Sequence, residues 1–383
     1  MSQSVDPGHF FQTDASEATR ARRAAKANNT FGEPLQASSK ILALLPALHK
    51  KNHVFIAESC GVIRLVDLEN NNTKAALFRG FSTPCTCLAL SSDGTTLFAG
   101  AWEKRILAWN ISTRQVTAEF KGHADFVKSL LYVPTPTGGL LLSGSSDANI
   151  IVWNPITGDR IATLKGHTRA IGTMALDPTA TDDEAAVVFA GGSEREIRKW
   201  RIPYNNPGAA EEVDVLLECE TSVHALRFLG DDGDLWAASA DGTARRIDVT
   251  DGKKPGERTD TKLVHADYVN DVVICNNGQW VATGCRDEEV RLWDVSNGAL
   301  VHTFEGHADE VTALAVVGSW LVSAGIDCTV RRWSVKPVDV KEAIEEARKR
   351  KEGVVEEKEE AKEEGLLTAE EEAELAELMD DSD

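Results

Sequence analysis

Short apolar runs separated by turn residues recur along most of the chain, and the clearest set covers residues 299–335. This stretch contains four runs, each divided from the next by Gly, Asp or Ser: LVHTF, VTALAVV, WLVSAG and TVRRWSV. Such runs are typical of successive antiparallel strands joined by tight turns. A lone sheet of about 40 residues has two apolar faces and nothing to bury them against, so we expect further copies of this unit in the chain.

Further copies lie upstream at a regular period. The ends of the last strands are spaced by 43, 44, 47, 47, 46 and 40 residues, at Val66, Trp109, Trp153, Trp200, Ile247, Trp293 and Trp333. Between consecutive ends lie the dipeptides Gly122-His123, Gly166-His167 and Gly306-His307, with Gly80-Phe81 and Val264-His265 as degraded versions. The combination of this period with a Gly-His near the start and a Trp near the end of each unit resembles the WD40 repeat family.

The resemblance implies an all-β fold, a seven-bladed WD40 β-propeller over residues 34–335. In this family each repeat supplies the outer strand of one blade and three inner strands of the next, so we expect a closing strand from about residues 34–40. Residues 1–33 are polar, and we expect a disordered N-terminal tail in which a short helix over 15–26 could form. Residues 336–383 are rich in Glu, Ala and Lys and predict an acidic tail, partly helical and partly disordered.

Composition and charge narrow the class of protein. Hydrophobic residues make up 42% and charged residues 27%, and no apolar run approaches the roughly 18 residues of a membrane span. The N-terminus has no apolar secretory region, so we expect an intracellular protein of the cytoplasm, the nucleus or both. Seven cysteines without a CxxC pair predict reduced thiols, and nothing in the spacing predicts a metal site or another cofactor.

The net charge of −20 is concentrated in the tail, where residues 341–383 hold 7 basic and 18 acidic side chains. An acidic surface repels phosphate backbones, so direct nucleic-acid binding is not expected. The tail also carries a short apolar stripe, at Leu375, Leu378 and Met379. The stripe could bind the groove of a partner, the acidic residues could attract basic clients, or the segment could only keep the protein soluble.

A His, a Ser or Thr, an Asp and a Trp recur together in three blades. The sets are His123, Ser143, Asp147 and Trp153 in blade three; His265, Thr283, Asp287 and Trp293 in blade six; and His307, Ser323, Asp327 and Trp333 in blade seven. A Ser-His-Asp hydrolase is the alternative interpretation. In propellers that this chain resembles, the four residues form a structural hydrogen-bond relay. Repetition at blade spacing favours that role, and no catalytic residue is predicted.

Function is therefore expected on the surface. In this family partners bind the top face, lined by the residue before the relay Asp and by two residues early in each innermost strand. Aromatic and arginine side chains dominate the energy of protein interfaces, and we expect the protein-binding residues to be Trp102, Phe126, Lys128, Tyr268, Asn270 and Arg286. The resemblance implies a non-enzymatic, monomeric scaffold or adaptor that assembles other proteins through this face and the tail. Two alternatives are the substrate receptor of a ubiquitin ligase and an escort for basic nuclear clients such as histones or ribosomal proteins.

Overall fold

The computed structural model describes residues 14–26, 29–69, 76–136, 138–229, 233–250, 252–254 and 256–363. The chain divides into two compact units, Met1–Ser334 and Val335–Asp383. Within the described residues, the strands of the first unit form seven four-stranded antiparallel sheets. The expected seven-bladed β-propeller is thereby confirmed.

Blades one to three are built from consecutive strands. Blade one contains β2 (Ile41–Pro46), β3 (His53–Glu58), β4 (Ile63–Asp67) and β5 (Leu77–Phe78). Blade two contains β6 (Cys85–Leu90), β7 (Thr96–Ala101), β8 (Arg105–Asn110) and β9 (Val116–Lys121). Blade three contains β10 (Val127–Val133), β11 (Leu140–Ser145), β12 (Asn149–Trp153) and β13 (Arg160–Lys165).

Blades four to six repeat this order. Blade four contains β14 (Ile171–Leu176), β15 (Ala185–Gly192), β16 (Ile197–Pro203) and β17 (Glu211–Leu216). Blade five contains β18 (Val223–Leu229), β19 (Asp234–Ser239), β20 (Thr243–Ile247) and β21 (Thr259–Val264). Blade six contains β22 (Val269–Cys275), β23 (Trp280–Cys285), β24 (Glu289–Asp294) and β25 (Leu300–Glu305).

Blade seven joins the two ends of the first unit. Its strands β26 (Val311–Val317), β27 (Trp320–Gly325) and β28 (Thr329–Ser334) are completed by β1 (Leu35–Gln36), in which Leu35 pairs with Val330. The contact continues on both sides of β1, because Ala37 N–H donates to Cys328 O (2.8 Å) and Arg332 N–H donates to Gly32 O (2.8 Å). The N-terminal segment therefore covers the edge that β28 would otherwise expose.

The apolar core lies between the faces of neighbouring blades. One cluster packs Val54 and Ile56 of blade one against Val322 and Val330 of blade seven, and the other clusters repeat the arrangement around the ring. Strand alternation explains this placement, because each sheet has a neighbour on both faces and so buries both sets of side chains. All seven cysteines fall within the described residues, and all are free thiols.

The innermost strand of every blade carries a register shift at its second residue. The shifts lie between the first and third residues of β2, β6, β10, β14, β18, β22 and β26. A β-bulge of this kind redirects one side chain out of the regular alternation. The residues redirected in this way include Lys128, His224, Asn270 and Thr312.

Two helices flank the strands in sequence. Helix α1 (Asp14–Lys26) belongs to the first unit, and helix α2 (Pro337–Glu363) forms most of the described part of the second. The disordered N-terminal tail was expected to allow a short helix over residues 15–26, and the structure has a helix over residues 14–26. Residues 1–13 lie outside the described residues. No helix among the described residues is long and apolar enough to span a membrane.

Candidate protein-binding site

The relay is complete in blades three and seven. In blade seven Asp327 Oδ2 lies 3.0 Å from His307 Nδ1, His307 Nε2 lies 2.7 Å from Ser323 Oγ, and Trp333 Nε1 donates to the same hydroxyl at 2.9 Å. The same contacts in blade three measure 2.9, 2.7 and 2.7 Å, for Asp147–His123, His123–Ser143 and Trp153–Ser143. An indole nitrogen only donates, so the hydroxyl accepts from Trp, donates to His, and leaves the histidine to donate to Asp.

The charge state of this relay suits a structural role. Burial lowers the pKa of His307, so the imidazole stays neutral. Burial alone would raise the pKa of Asp327, but hydrogen bonds from His307 and from backbone N–H groups outweigh it and hold the pKa at about 2. Ser323 is fully buried. The Ser323 oxygen is hydrogen-bonded to both His307 and Trp333 and is shielded from solvent, so the arrangement holds neighbouring strands together.

Blade six departs from the expected relay. His265 Nε2 lies 2.8 Å from Thr283 Oγ1, and Trp293 Nε1 donates to that oxygen at 2.9 Å. The expected Asp287–His265 bond is missing, because Asp287 accepts from Arg291 Nη2 at 2.7 Å instead. His265 Nδ1 has no hydrogen-bond partner among the described residues. Burial and the neighbouring Arg291 lower the pKa of His265 to about 4.

Blades two and four retain only parts of the relay. Glu194 accepts from His167 Nδ1 in blade four, but Ala190 stands where the hydroxyl belongs. The His167 Nε2 and Trp200 Nε1 atoms have no partner among the described residues. In blade two Glu103 accepts from Ser82 Oγ (2.6 Å) and Arg105 Nε (2.7 Å). A glutamate therefore replaces the aspartate with different partners in each blade.

A central cavity of about 330 Å³ opens among the starts of the innermost strands. Its walls include residues from positions that the family resemblance assigns to the top face: Lys128, Gly172, Ser193, Ser222, His224, Asn270, Glu310 and Thr312. The bulges explain this convergence, because the redirected second residues of five innermost strands reach the cavity. The cavity therefore presents one ammonium group, one carboxylate and several neutral polar groups.

Asn270 connects blades six and seven at the cavity wall. Its side-chain Nδ2 donates to Glu310 Oε1 and to Val311 O, both at 2.8 Å. Thr86 and Thr312 make similar bonds to backbone oxygens of the next blade. Asn270, predicted as a binding residue, thus also holds two blades together.

Two exposed pairs of side chains that each contain an aromatic ring lie outside the cavity, and we call them the aromatic pairs. Trp102 and Phe126 stack with ring centroids 5.1 Å apart and planes at 16°, and this pair spans blades two and three. The Arg286 guanidinium lies over the Tyr268 ring in blade six, 5.1 Å from its centroid. Trp102 is 45% exposed and Tyr268 43% exposed.

Backbone hydrogen bonds fix both pairs at the same end of the blades as the cavity. The N–H of Trp102 donates to Pro84 O (3.1 Å), and the N–H of Arg286 donates to Tyr268 O (2.9 Å). Each bond ties the turn between the second and third strands to the start of the innermost strand. With seven blades in a ring, blades two and three face blade six across the mouth. The structure brings the six predicted residues to one end of the ring, but it divides them between the two pairs and the cavity wall.

The basic residues of α1 contact acidic side chains at this end of the ring, and the sequence did not predict this contact. Arg22, Arg23 and Lys26 contact Glu288, and Arg23 also contacts Asp309. Glu288 lies two residues after Arg286. Two signals were available in the sequence: the basic cluster itself, which could indicate an acidic partner, and a glutamate at a turn position where blades one and five have glycine. The predicted tail residues Leu375, Leu378 and Met379 lie outside the described residues.

Comparisons with known proteins identify repeats that the structure also shows. The family described as "WD domain, G-beta repeat" matches residues 72–110, 114–154, 257–294 and 298–334. An uncharacterized WD repeat-containing protein of Schizosaccharomyces pombe is 33% identical to this chain over 391 aligned positions, covering 99% of this chain and 100% of the relative.

Two further similarities are partial. Cilia- and flagella-associated protein 52 of Sus scrofa is 24% identical over 194 residues, which cover 40% of this chain and 31% of that protein. Mitochondrial division protein 1 of Candida glabrata is 32% identical over 81 residues, covering 18% of this chain and 11% of that protein. Both matches are short enough to reflect shared repeats.

Proposed function

Because the chain belongs to the WD40-repeat family, whose propellers typically serve as protein-interaction scaffolds, we propose that it is a non-enzymatic adaptor that holds partner proteins on the top face. Partners contact the end of the ring that carries the central cavity and the two aromatic pairs. The protein acts inside the cell, and the acidic tail adds a second contact in the same complex.

The observation that carries this proposal is the exposure of the Trp102–Phe126 and Tyr268–Arg286 pairs at one end of a rigid ring. Large aromatic rings left half in solvent have apolar area that a partner can bury, and a guanidinium held over a ring is already positioned to bind a carboxylate or backbone oxygen. Pre-positioned side chains lose little conformational freedom on binding, which favours affinity. The cavity between the pairs offers polar partners to an inserted side chain.

The relay geometry supports the non-catalytic part of this proposal. The residues that would form a hydrolase triad in blade seven are buried. Their histidine is neutral, and their serine hydroxyl accepts a hydrogen bond from Trp333. No group of three or more His, Cys, Asp or Glu side chains within the described ranges is arranged to hold a metal ion. The surface rather than a reaction centre therefore carries the proposed activity.

The direct test is affinity purification of the full chain against a variant with Trp102→Ala and Arg286→Ala. Each substitution removes one exposed side chain from one of the two pairs, and neither residue belongs to the buried core. We expect the variant to lose the partners that the unmodified protein captures while its melting temperature stays within a few degrees.

A further inference from the structure

Helix α1 is held on blades six and seven by charge. Arg22 Nη2 donates to Glu288 Oε1 at 2.9 Å, Arg23 Nε to the same oxygen at 3.2 Å, and Lys26 Nζ to Oε2 at 3.1 Å. Arg23 Nη2 also lies 2.8 Å from Asp309 Oδ1. The Glu288 side chain is 0% exposed, whereas Arg22 is 54% exposed. Three cations thus surround one carboxylate, and we call Glu288 and Asp309 the acidic cradle.

The turn itself does not require a glutamate at position 288. This residue is the third of the turn between β23 and β24 and has a positive φ of 77°. Blades one and five place Gly61 and Gly242 there, and blades three and seven place Ala148 and Cys328. A residue with a side chain is strained in this left-handed conformation, and a carboxylate adds nothing to the turn geometry. The position therefore points to a role for the carboxylate in binding cations.

The other face of α1 offers little to hold it in place. Among the α1 residues whose side chains the structure describes (17, 18, 20–24 and 26), every hydrogen bond or ion pair to the blades runs to Glu288 or Asp309. Ala21 and Ala24 are exposed. A helix of 13 residues is marginal in water by itself, so α1 forms when its cations are bound. The cations of these ion pairs are partly exposed although Glu288 is buried, so salt should weaken the contact.

We propose that the acidic cradle is a binding site for a basic helix, which α1 occupies within the same chain and which a partner protein occupies by displacing α1. The matching partner helix carries cations at i, i+1 and i+4, the spacing of Arg22, Arg23 and Lys26. Release of α1 gives water access to Glu288, so the carboxylate does not remain buried without a counter-charge. This site goes beyond the adaptor role proposed above, and it can exist whether or not Trp102 and Arg286 bind partners.

The test supplies α1 as a separate peptide. The full chain with Arg22→Gln, Arg23→Gln and Lys26→Gln leaves the cradle without its own ligand, and a fluorescent peptide of residues 12–28 is added. Fluorescence anisotropy should show this variant binding the peptide at least tenfold more tightly than the unmodified chain does. Adding Glu288→Gln to the variant should abolish binding, whereas adding Glu257→Gln, an exposed acid in blade five, should leave binding unchanged.

Two results of the peptide-binding experiment would overturn the proposal. One is peptide binding by the triple variant no tighter than by its Glu288→Gln derivative, and the other is equal binding of a peptide with the same three residues changed to Gln. A second measurement uses the unmodified chain and does not depend on the folding of any variant. Saturating peptide should increase hydrogen exchange of the amides of residues 14–26 while the amides of β1 keep their protection. Unchanged exchange in α1 would also overturn the proposal.

Discussion

Ala190 in blade four occupies the strand position that Ser323 has in blade seven, ten residues before the tryptophan of the blade. In blade seven, Ser323 Oγ accepts the hydrogen bond of the Trp333 indole. The register is equivalent, since Ala190 pairs with Arg198 in blade four and Ser323 pairs with Arg331 in blade seven. Without a hydroxyl at this point, both Trp200 Nε1 and His167 Nε2 lack a partner in the part of the chain that the structure describes. Blade four thus contains two buried donors or acceptors that a single oxygen atom would satisfy.

Ala190→Ser is therefore expected to stabilise the protein. The new hydroxyl completes two hydrogen bonds to groups that are already desolvated, a gain of about 1–2 kcal/mol in the free energy of unfolding. Chemical denaturation monitored by tryptophan fluorescence measures the change. Ala186→Ser on the same strand is the matched control, since Ala186 is buried in an apolar cluster and its serine should destabilise by about 1–3 kcal/mol. Equal effects at the two positions would contradict the relay account.

His265 predicts an acid-sensitive stability. Its pKa is about 4 in the folded protein, against an ordinary value of 6.5, because of burial and the neighbouring Arg291. The unfolded chain binds the proton more readily, so the contribution of His265 is present above about pH 6.5 and is lost as pH falls towards 4. A shift of this size corresponds to a change on the order of 3 kcal/mol.

The measurement is the free energy of unfolding of the unmodified protein and His265→Gln from pH 7 to pH 4. Glutamine does not titrate, so the variant should lose part of the slope with pH in this window. Two parallel curves would show that His265 does not contribute. Asp327 acts in a lower window, since its pKa of about 2 places its loss of stabilisation below about pH 4.

Deletion of residues 1–40 should prevent stable folding of the ring. The deletion removes β1 and exposes the edge of β28, and it also removes Asn29 Oδ1 and Phe31 O, which accept from the buried Arg331. An uncovered strand edge and an unpaired buried guanidinium both destabilise. We expect a loss of cooperative thermal unfolding and a tendency to aggregate.

The matched control for this deletion is removal of residues 1–28. That variant loses α1 but keeps Asn29, Phe31 and β1, so its melting temperature should stay close to that of the full chain. A deletion of residues 1–40 that is as stable as the full chain would contradict closure by the N-terminal segment.

The period of the strand ends, five of which are tryptophans, together with the Gly-His dipeptides was enough to predict the fold, since it indicates seven repeats irrespective of the details of each blade. The relay contacts that the family resemblance implies are complete in blades three and seven, whereas blade six lacks the Asp287–His265 contact. Arg291 explains the difference, because it takes Asp287 away from His265. Blade seven has Arg331 at the same position, yet the N-terminal segment engages it and leaves Asp327 to His307. That competition depends on a contact about 300 residues away in sequence, which spacing does not reveal.

The sequence predicted which end of the ring the candidate residues occupy, but not which of their side chains contact one another. Family resemblance assigns positions near the start of each innermost strand to the top face, and the cavity wall contains several of them. The pairing of Trp102 with Phe126 and of Arg286 with Tyr268 depends on rotamers and on the distance between turns. The contact of α1 with Glu288 joins residues more than 260 positions apart, and no local pattern encodes it.

Partner capture by the top face is the central claim, and quantitative affinity purification of the full chain tests it most directly. The variant Trp102→Ala with Arg286→Ala is compared with Ile156→Ala with Arg160→Ala, a matched pair in which an exposed apolar residue and an arginine are also lost. Ile156 lies in the turn between β12 and β13, and Arg160 is the first residue of β13, so both are at the opposite end of the blade from the cavity. We predict that the first variant loses most of the captured partner protein while the control retains it. Equal retention by both variants would contradict the assignment of binding to the top face.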